Sequence, residues 1–137
     1  MSFEKFIEKA RKEPEKYRDL LIKEKESFED DVRKHMDWIL ALFSIEVTYS
    51  TFITTVVISY KIYHPVLGIS VFTFIIPMFI MMIFGVDKEK KIREVREILY
   101  DNMNLENTSI IKILGIFGIL VGIAYAIIIL LAPILFP

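Results

Sequence analysis

Three apolar runs dominate this sequence: Trp38–Tyr60, Val66–Val86 and Ile113–Leu135, of 23, 21 and 23 residues. A bilayer core of about 30 Å takes about 20 helical residues to cross, so each run has the length of a span. Only one formal charge, Glu46, falls inside the three runs. The 26% charged composition therefore averages two populations, apolar spans and highly charged connecting segments. The fold class this predicts is an all-α polytopic membrane protein with three transmembrane helices. Its parts are a charged helical segment 1–37, a three-span domain 38–137 and a connector 87–112 inside that domain.

Several classes are excluded or disfavoured. The chain has no Cys, which rules out disulfides and Cys-based metal or redox sites. Its first 37 residues are charged and lack an apolar h-region, so no cleavable signal peptide is expected. There is no Met-Gly start and no C-terminal prenylation motif. A net charge of −1 argues against a nucleic-acid partner.

Cation placement sets the expected orientation. Ten Lys and Arg lie before Asp37, and six more (Lys88, Lys90, Lys91, Arg93, Arg96, Lys112) follow span two. The turn between spans one and two has Lys61 alone, and no charged residue follows span three. By the positive-inside rule the N-terminus is expected in the cytoplasm and the C-terminus outside, in the cell membrane. Eleven acidic residues offset the ten cations of the N-terminal segment, so a polybasic anionic-lipid binder is not expected.

Along the chain, Phe3–Lys12 reads as a short amphipathic helix with Ser2 available as N-cap and Phe3, Phe6, Ile7 and Ala10 on one face. Pro14 ends it and suits the first turn of the next helix. No Gly or Pro occurs from Glu15 to His64, which predicts one long helix from Pro14 to Tyr60, cytoplasmic in its first half and continuing into span one. Asp19/Lys23, Glu29/Arg33 and Asp30/Lys34 are spaced to pair along it. Its narrow apolar stripe (Tyr17, Leu21, Phe28, Val32 and Ile39, with Met36 a weaker member) needs a cover: a second copy as in a coiled coil, the other cytoplasmic segment, or the membrane surface. His64-Pro65 makes the outer turn. Pro77, in the middle of span two, predicts a kink there, beside the adaptable side chains of Met78, Met81 and Met82. Gly85 and Asp87 read as a helix stop and a new N-cap, so that Lys88–Tyr100 forms a separate amphipathic, interfacial helix. Asn102–Ser109 is read as a loop whose Asn107-Thr108-Ser109 N-caps span three, and Pro133 and Pro137 are read as ending that span.

The candidate site residues are few. An ionisable group at membrane depth is costly and marks a functional site by default, so Glu46 stands first. Ser50 and Thr54 extend its face, and Thr48, Thr51, Thr55 and Ser59 make the neighbouring face polar. Such a stripe suits an ion path, or hydrogen bonds within and between helices. Gly118-x3-Gly122-x3-Ala126, with Gly115 nearby, has the spacing of a close helix-packing seam, within the chain or between copies. Asp31 and His35 are spaced to chelate a metal, but they sit in an ordinary charged face, so no metal site is assigned. No cofactor motif and no catalytic constellation occurs.

The layout is similar to that of the small three-span subunits of membrane-protein insertion complexes, which also keep the N-terminus in the cytoplasm. The likeness is one of span number and orientation. Two functions remain in view: a non-enzymatic membrane interaction or assembly subunit that docks a partner or another copy, and a homo-oligomeric ion channel or small transporter lined by the Glu46 face.

Overall fold

The structure, a computed structural model, describes residues 2–100 and 109–137. It is helical throughout, with five helices among the described residues: α1 (Phe3–Lys12), α2 (Pro14–Tyr60), α3 (Pro65–Ser70), α4 (Phe72–Tyr100) and α5 (Ile110–Leu135). Three stretches are long and apolar enough to cross a membrane: Pro14–Tyr60, Pro65–Tyr100 and Ile110–Leu135.

The long helix forms as its sequence predicts. Glu13 leaves helical geometry (φ −135°, ψ 65°), Pro14 occupies the first turn of α2, and the next 46 residues contain no breaker. Its 47 residues give a rod of about 70 Å. Lys61 ends it in the left-handed conformation (φ 52°), and His64 caps α3 by accepting the Val66 amide on Nδ1 at 3.3 Å. Ser2 holds the N-cap position of α1 without a side-chain bond. Ser109 caps α5, accepting from the Lys112 amide at 3.1 Å. The rest of the expected loop, with Asn107 and Thr108, lies outside the described residues.

Span two departs from expectation in one place and shows an unexpected break in another. Pro77 does not interrupt α4, and the break in regular helix falls at Val71, less than two turns earlier. Tighter bonds carry the chain across the break, from the Val71 amide to the Gly68 carbonyl (3.3 Å) and from the Phe74 amide to the Val71 carbonyl (3.1 Å). Within α4, Pro77 lacks the amide that would bond the Thr73 carbonyl. Nor does Lys88–Tyr100 form a separate interfacial helix. α4 runs unbroken for 29 residues, about 43 Å, through Gly85 and Asp87. Gly85 has no positive φ, and a Cβ there would fall 2.6 Å from Ile111 Cδ1, so this glycine serves close packing of α5. Asp87 spends its carboxylate on Lys91, 2.8 Å away. At the other end α5 continues two residues past Pro133, which occupies its last turn.

α2 and α4 share the largest interface and run antiparallel. Tyr49 packs on Phe74 with ring centroids 5.3 Å apart and the rings tilted by 53°, Asp31 meets Lys88 at 3.0 Å, and Glu29 takes Arg96 at 2.7 Å. Glu29 was expected to pair with Arg33 and turns instead to α4 and to Lys25 (3.6 Å); Asp30 pairs with Lys34 as expected (2.7 Å). α5 lies against both helices through Ile111, Gly115, Gly118, Gly122, Ala126, Ile129 and Ala132, a spacing of three and four that keeps one stripe inward.

The charged end has its own core. α1 folds back so that Phe6, Ile7 and Ala10 close over Leu21 of α2 and Val95 of α4, with Phe3, Tyr17, Ile98 and Leu99 at the margin. The stripe on α2 is thus covered within the chain, by α1 and by the end of α4. Lys88 holds the Asp31 carboxyl below the ordinary aspartate range. Stability from this pair is present above about pH 4 and lost as the pH falls through the lowered value. Both side chains are about one-third exposed, so the contribution is about 0.2–1 kcal/mol. Asp31→Asn is expected to remove that part of the acid-induced loss of protection in the α2–α4 contact, read by hydrogen exchange. Superimposable acid profiles for the two proteins would contradict the assignment.

Candidate functional site

α2 turns a stripe of Ile39, Glu46, Ser50, Ile53 and Val57 into the bundle. Two members are polar, and both are fully buried: Glu46 and Ser50 have no exposed surface. Neither Glu46 carboxylate oxygen nor Ser50 Oγ has a hydrogen-bond partner. The carboxylate lies on Gly122 of α5, where the missing side chain makes the room. A Cβ on Gly122 would fall on Glu46 Oε1 and 2.9 Å from Ile75 Cδ1 and Cγ1. Glu46 therefore stands where all three apolar helices meet. Within these spans no countercharge is available: α4 carries no charged residue from Phe72 to Val86, and α5 only Lys112 near its start.

The other hydroxyls are accounted for differently. Thr48, Thr54 and Thr55 donate back to the carbonyls of Ser44, Ser50 and Thr51 at 2.9, 2.7 and 2.9 Å. Such back-bonding satisfies a hydroxyl inside its own helix. Thr51 bonds the Tyr125 hydroxyl at 3.0 Å, and Tyr49 donates to Ser70 Oγ at 2.8 Å, linking α2 to α5 and α3. Of the expected set, then, the structure brings Glu46 and Ser50 together in the interior and leaves Thr54 half-buried and locally bonded.

The small-residue seam faces inward. Met82 covers Gly115, Met78 covers Gly118, and Ile75 with Glu46 covers Gly122. Ala126 joins a core of Ile53, Val57, Val71, Ile129 and Ala132. The methionines beside Pro77 thus fill the faces of the α5 glycines. This match was legible in principle: Met82, Met78 and Ile75 follow one another at four and three residues, Gly115, Gly118 and Gly122 at three and four, and antiparallel helices would bring the two rows together in that order.

Asp31 and His35 do not converge on a common point. The Asp31 carboxylate pairs with Lys88, while His35 Nδ1 contacts the Asp31 carbonyl at 2.6 Å. Among the described residues no three His, Cys, Asp or Glu side chains group to hold a metal ion. A role that sequence reasoning missed belongs to Glu89, whose Oε1 accepts the Ile111 amide at 3.4 Å and so caps α5 from α4. No local signal marks it, because the donor is 22 residues away.

No family model matches the sequence, and neither a curated protein nor a solved structure matches the chain.

Proposed function

We propose that this chain is a non-enzymatic assembly subunit of the cell membrane, with its N-terminus in the cytoplasm and its C-terminus outside, that docks a partner or another copy through its cytoplasmic helices. The observation that carries this reading is the head made by α1, the first half of α2 and the end of α4. Its apolar residues close on one another around Leu21 and Val95, and its outer surface is left charged and held on a continuous rod into the membrane. A preformed platform of this kind binds without first paying to order itself. The segregation of 16 cations to this side supports the orientation. Only 17–28% of each apolar stretch is buried in the chain, which leaves wide lateral faces for lipid or for neighbouring spans.

The test is site-specific photocrosslinking in native membranes from the exposed head positions Leu20 and Lys23, compared with Phe79 on the outer face of α4. The expected outcome is one discrete adduct from the head positions, whose partner is then identified by mass spectrometry, and a lipid background from Phe79. A head that yields only background defeats the proposal. The channel reading is less well supported, because Glu46 turns toward Gly122 of its own chain and three of the threonines bond within α2. Liposome cation flux that Glu46→Gln abolishes would reverse that preference.

A further inference from the structure

The least explained feature of the molecule is the Glu46–Ser50 pair. Three polar atoms, both Glu46 oxygens and Ser50 Oγ, are sealed from solvent and unbonded. Buried polar atoms are nearly always partnered, and an orphaned one calls for a specific cause such as an absent ion. An ion buried in an apolar interior without a compensating partner is strongly disfavoured. The surrounding helices supply nothing to offset it. α3 has no titratable residue, and α4 has none between Phe72 and Val86. On α5 the titratable group nearest in sequence to Gly122 is Tyr125, whose hydroxyl is bonded to Thr51; on α2 it is Tyr49, whose hydroxyl is bonded to Ser70.

Charge balance then selects the ligand. One carboxylate and one single positive charge sum to zero, the only total an apolar interior accepts cheaply. A divalent ion would leave a net positive charge in that interior. Glu46 and Ser50 are one helical turn apart on the same inward stripe of α2, and Glu46 Oε1 lies against Gly122. We propose that Glu46, set against Gly122, and Ser50, one turn further along α2, form an intramembrane site for one monovalent cation, a proton or an alkali ion, whose occupancy holds α5 against α2.

Binding to the closed bundle stabilises it by linkage. Emptied, the carboxylate is driven toward water, and the contact it must break is the one with Gly122. The site is a closed one, coupled to helix packing, and is independent of which partner the head docks.

The experiment uses the full chain in nanodiscs of zwitterionic lipid and reads thermal unfolding in two arms. In the first, NaCl or LiCl replaces choline chloride at constant ionic strength and pH. In the second, pH is varied in choline chloride alone. For an alkali ion, Tm rises with Na⁺ or Li⁺ to a plateau about 5 °C or more higher. For a proton, Tm ignores the salt and falls as the pH is raised, because the closed state holds the proton. Either result supports the site and identifies its occupant. Glu46→Gln, neutral and of the same size, is expected to flatten both arms. Ser50→Ala keeps the response but shifts its midpoint about tenfold in ion or proton concentration, the value of one charge-assisted bond. A wild-type protein flat in both arms overturns the proposal, as does a Glu46→Gln protein that keeps the wild-type response. A Ser50→Ala midpoint that does not move removes Ser50 from the site, and so overturns it as drawn, even if Glu46→Gln fails to fold.

Discussion

Gly122→Leu is expected to separate α5 from α2 and α4 and to give the largest loss of stability of any single substitution in the spans. Even a Cβ at this position has no room. It would fall on the Glu46 carboxyl and within 2.9 Å of two Ile75 carbons, on two different helices. Overpacking a filled interior costs about 1–3 kcal/mol, more where the neighbours cannot give. Here the alternative to displacing Ile75 is displacing a buried carboxylate, so the cost lies at or above the upper end. Gly118→Ala is the internal comparison. Its Cβ would meet the Sδ of Met78 and, at 3.2 Å, the Cε, the far end of a flexible thioether. The expected order of destabilisation is Gly122→Leu above Gly122→Ala above Gly118→Ala. Thermal unfolding in nanodiscs reads that order. Because the chain has no Cys, a pair introduced at Thr51 and Tyr125, bonded to each other across α2 and α5, reports the separation by loss of a short crosslink. Retained crosslinking in Gly122→Leu would mean that the glycine is not where the helices meet.

That three helices are long and apolar enough to cross a membrane was legible because it rests on length and apolarity alone, and so was the unbroken α2, since no Gly or Pro interrupts the sequence from Glu15 to His64. Illegible were the features whose meaning depends on a distant neighbour. Gly85 followed by Asp87 has the composition of a stop and a cap, and it would have been one had Ile111 not occupied the glycine's face. The break at Val71 has no marker of its own in the sequence, since neither Gly nor Pro stands there. Glu29 had an acceptable partner in Arg33 and a better one in Arg96, 67 residues away.

The site divides in the same way. That Glu46 is exceptional follows from its being the one charge in the three runs. Which hydroxyls accompany it does not follow from polarity. Thr54 is as polar as Ser50 and one turn further on, but it back-bonds to the Ser50 carbonyl, while the inward stripe passes to Ile53 and Val57. Reading inward positions at spacings of four, three and four from Glu46 selects Ser50, Ile53 and Val57. The apolar members of that stripe say which way Glu46 points.

Leu21→Ala is expected to release α1 while leaving the spans folded. Leu21 is fully buried beneath Phe6, Ile7 and Ala10, and with Val95 it forms the floor on which α1 rests. Truncating a core leucine to alanine costs about 2–5 kcal/mol. The loss falls almost wholly on α1, because α2 at this point is held in a 47-residue helix and α4 is secured by the Arg96–Glu29 and Lys88–Asp31 pairs. Once undocked, α1 has no means of support. Its 10 residues are fewer than an isolated helix needs in water, and the Arg11–Glu97 pair at 3.7 Å is too exposed to hold it. Amides of residues 3–12 should therefore lose about 30-fold or more of their protection from hydrogen exchange, while those of α5 stay as they were. Trypsin cleavage at Arg11 and Lys12 should quicken in parallel. The same variant bears on function, because a platform that needs α1 in place loses its photocrosslinked adduct at Leu20 when α1 leaves. Unchanged exchange over residues 3–12 would mean that α1 is held by something other than the Leu21–Val95 floor. Unfolding that spread into α5 would mean that head and spans form one cooperative unit.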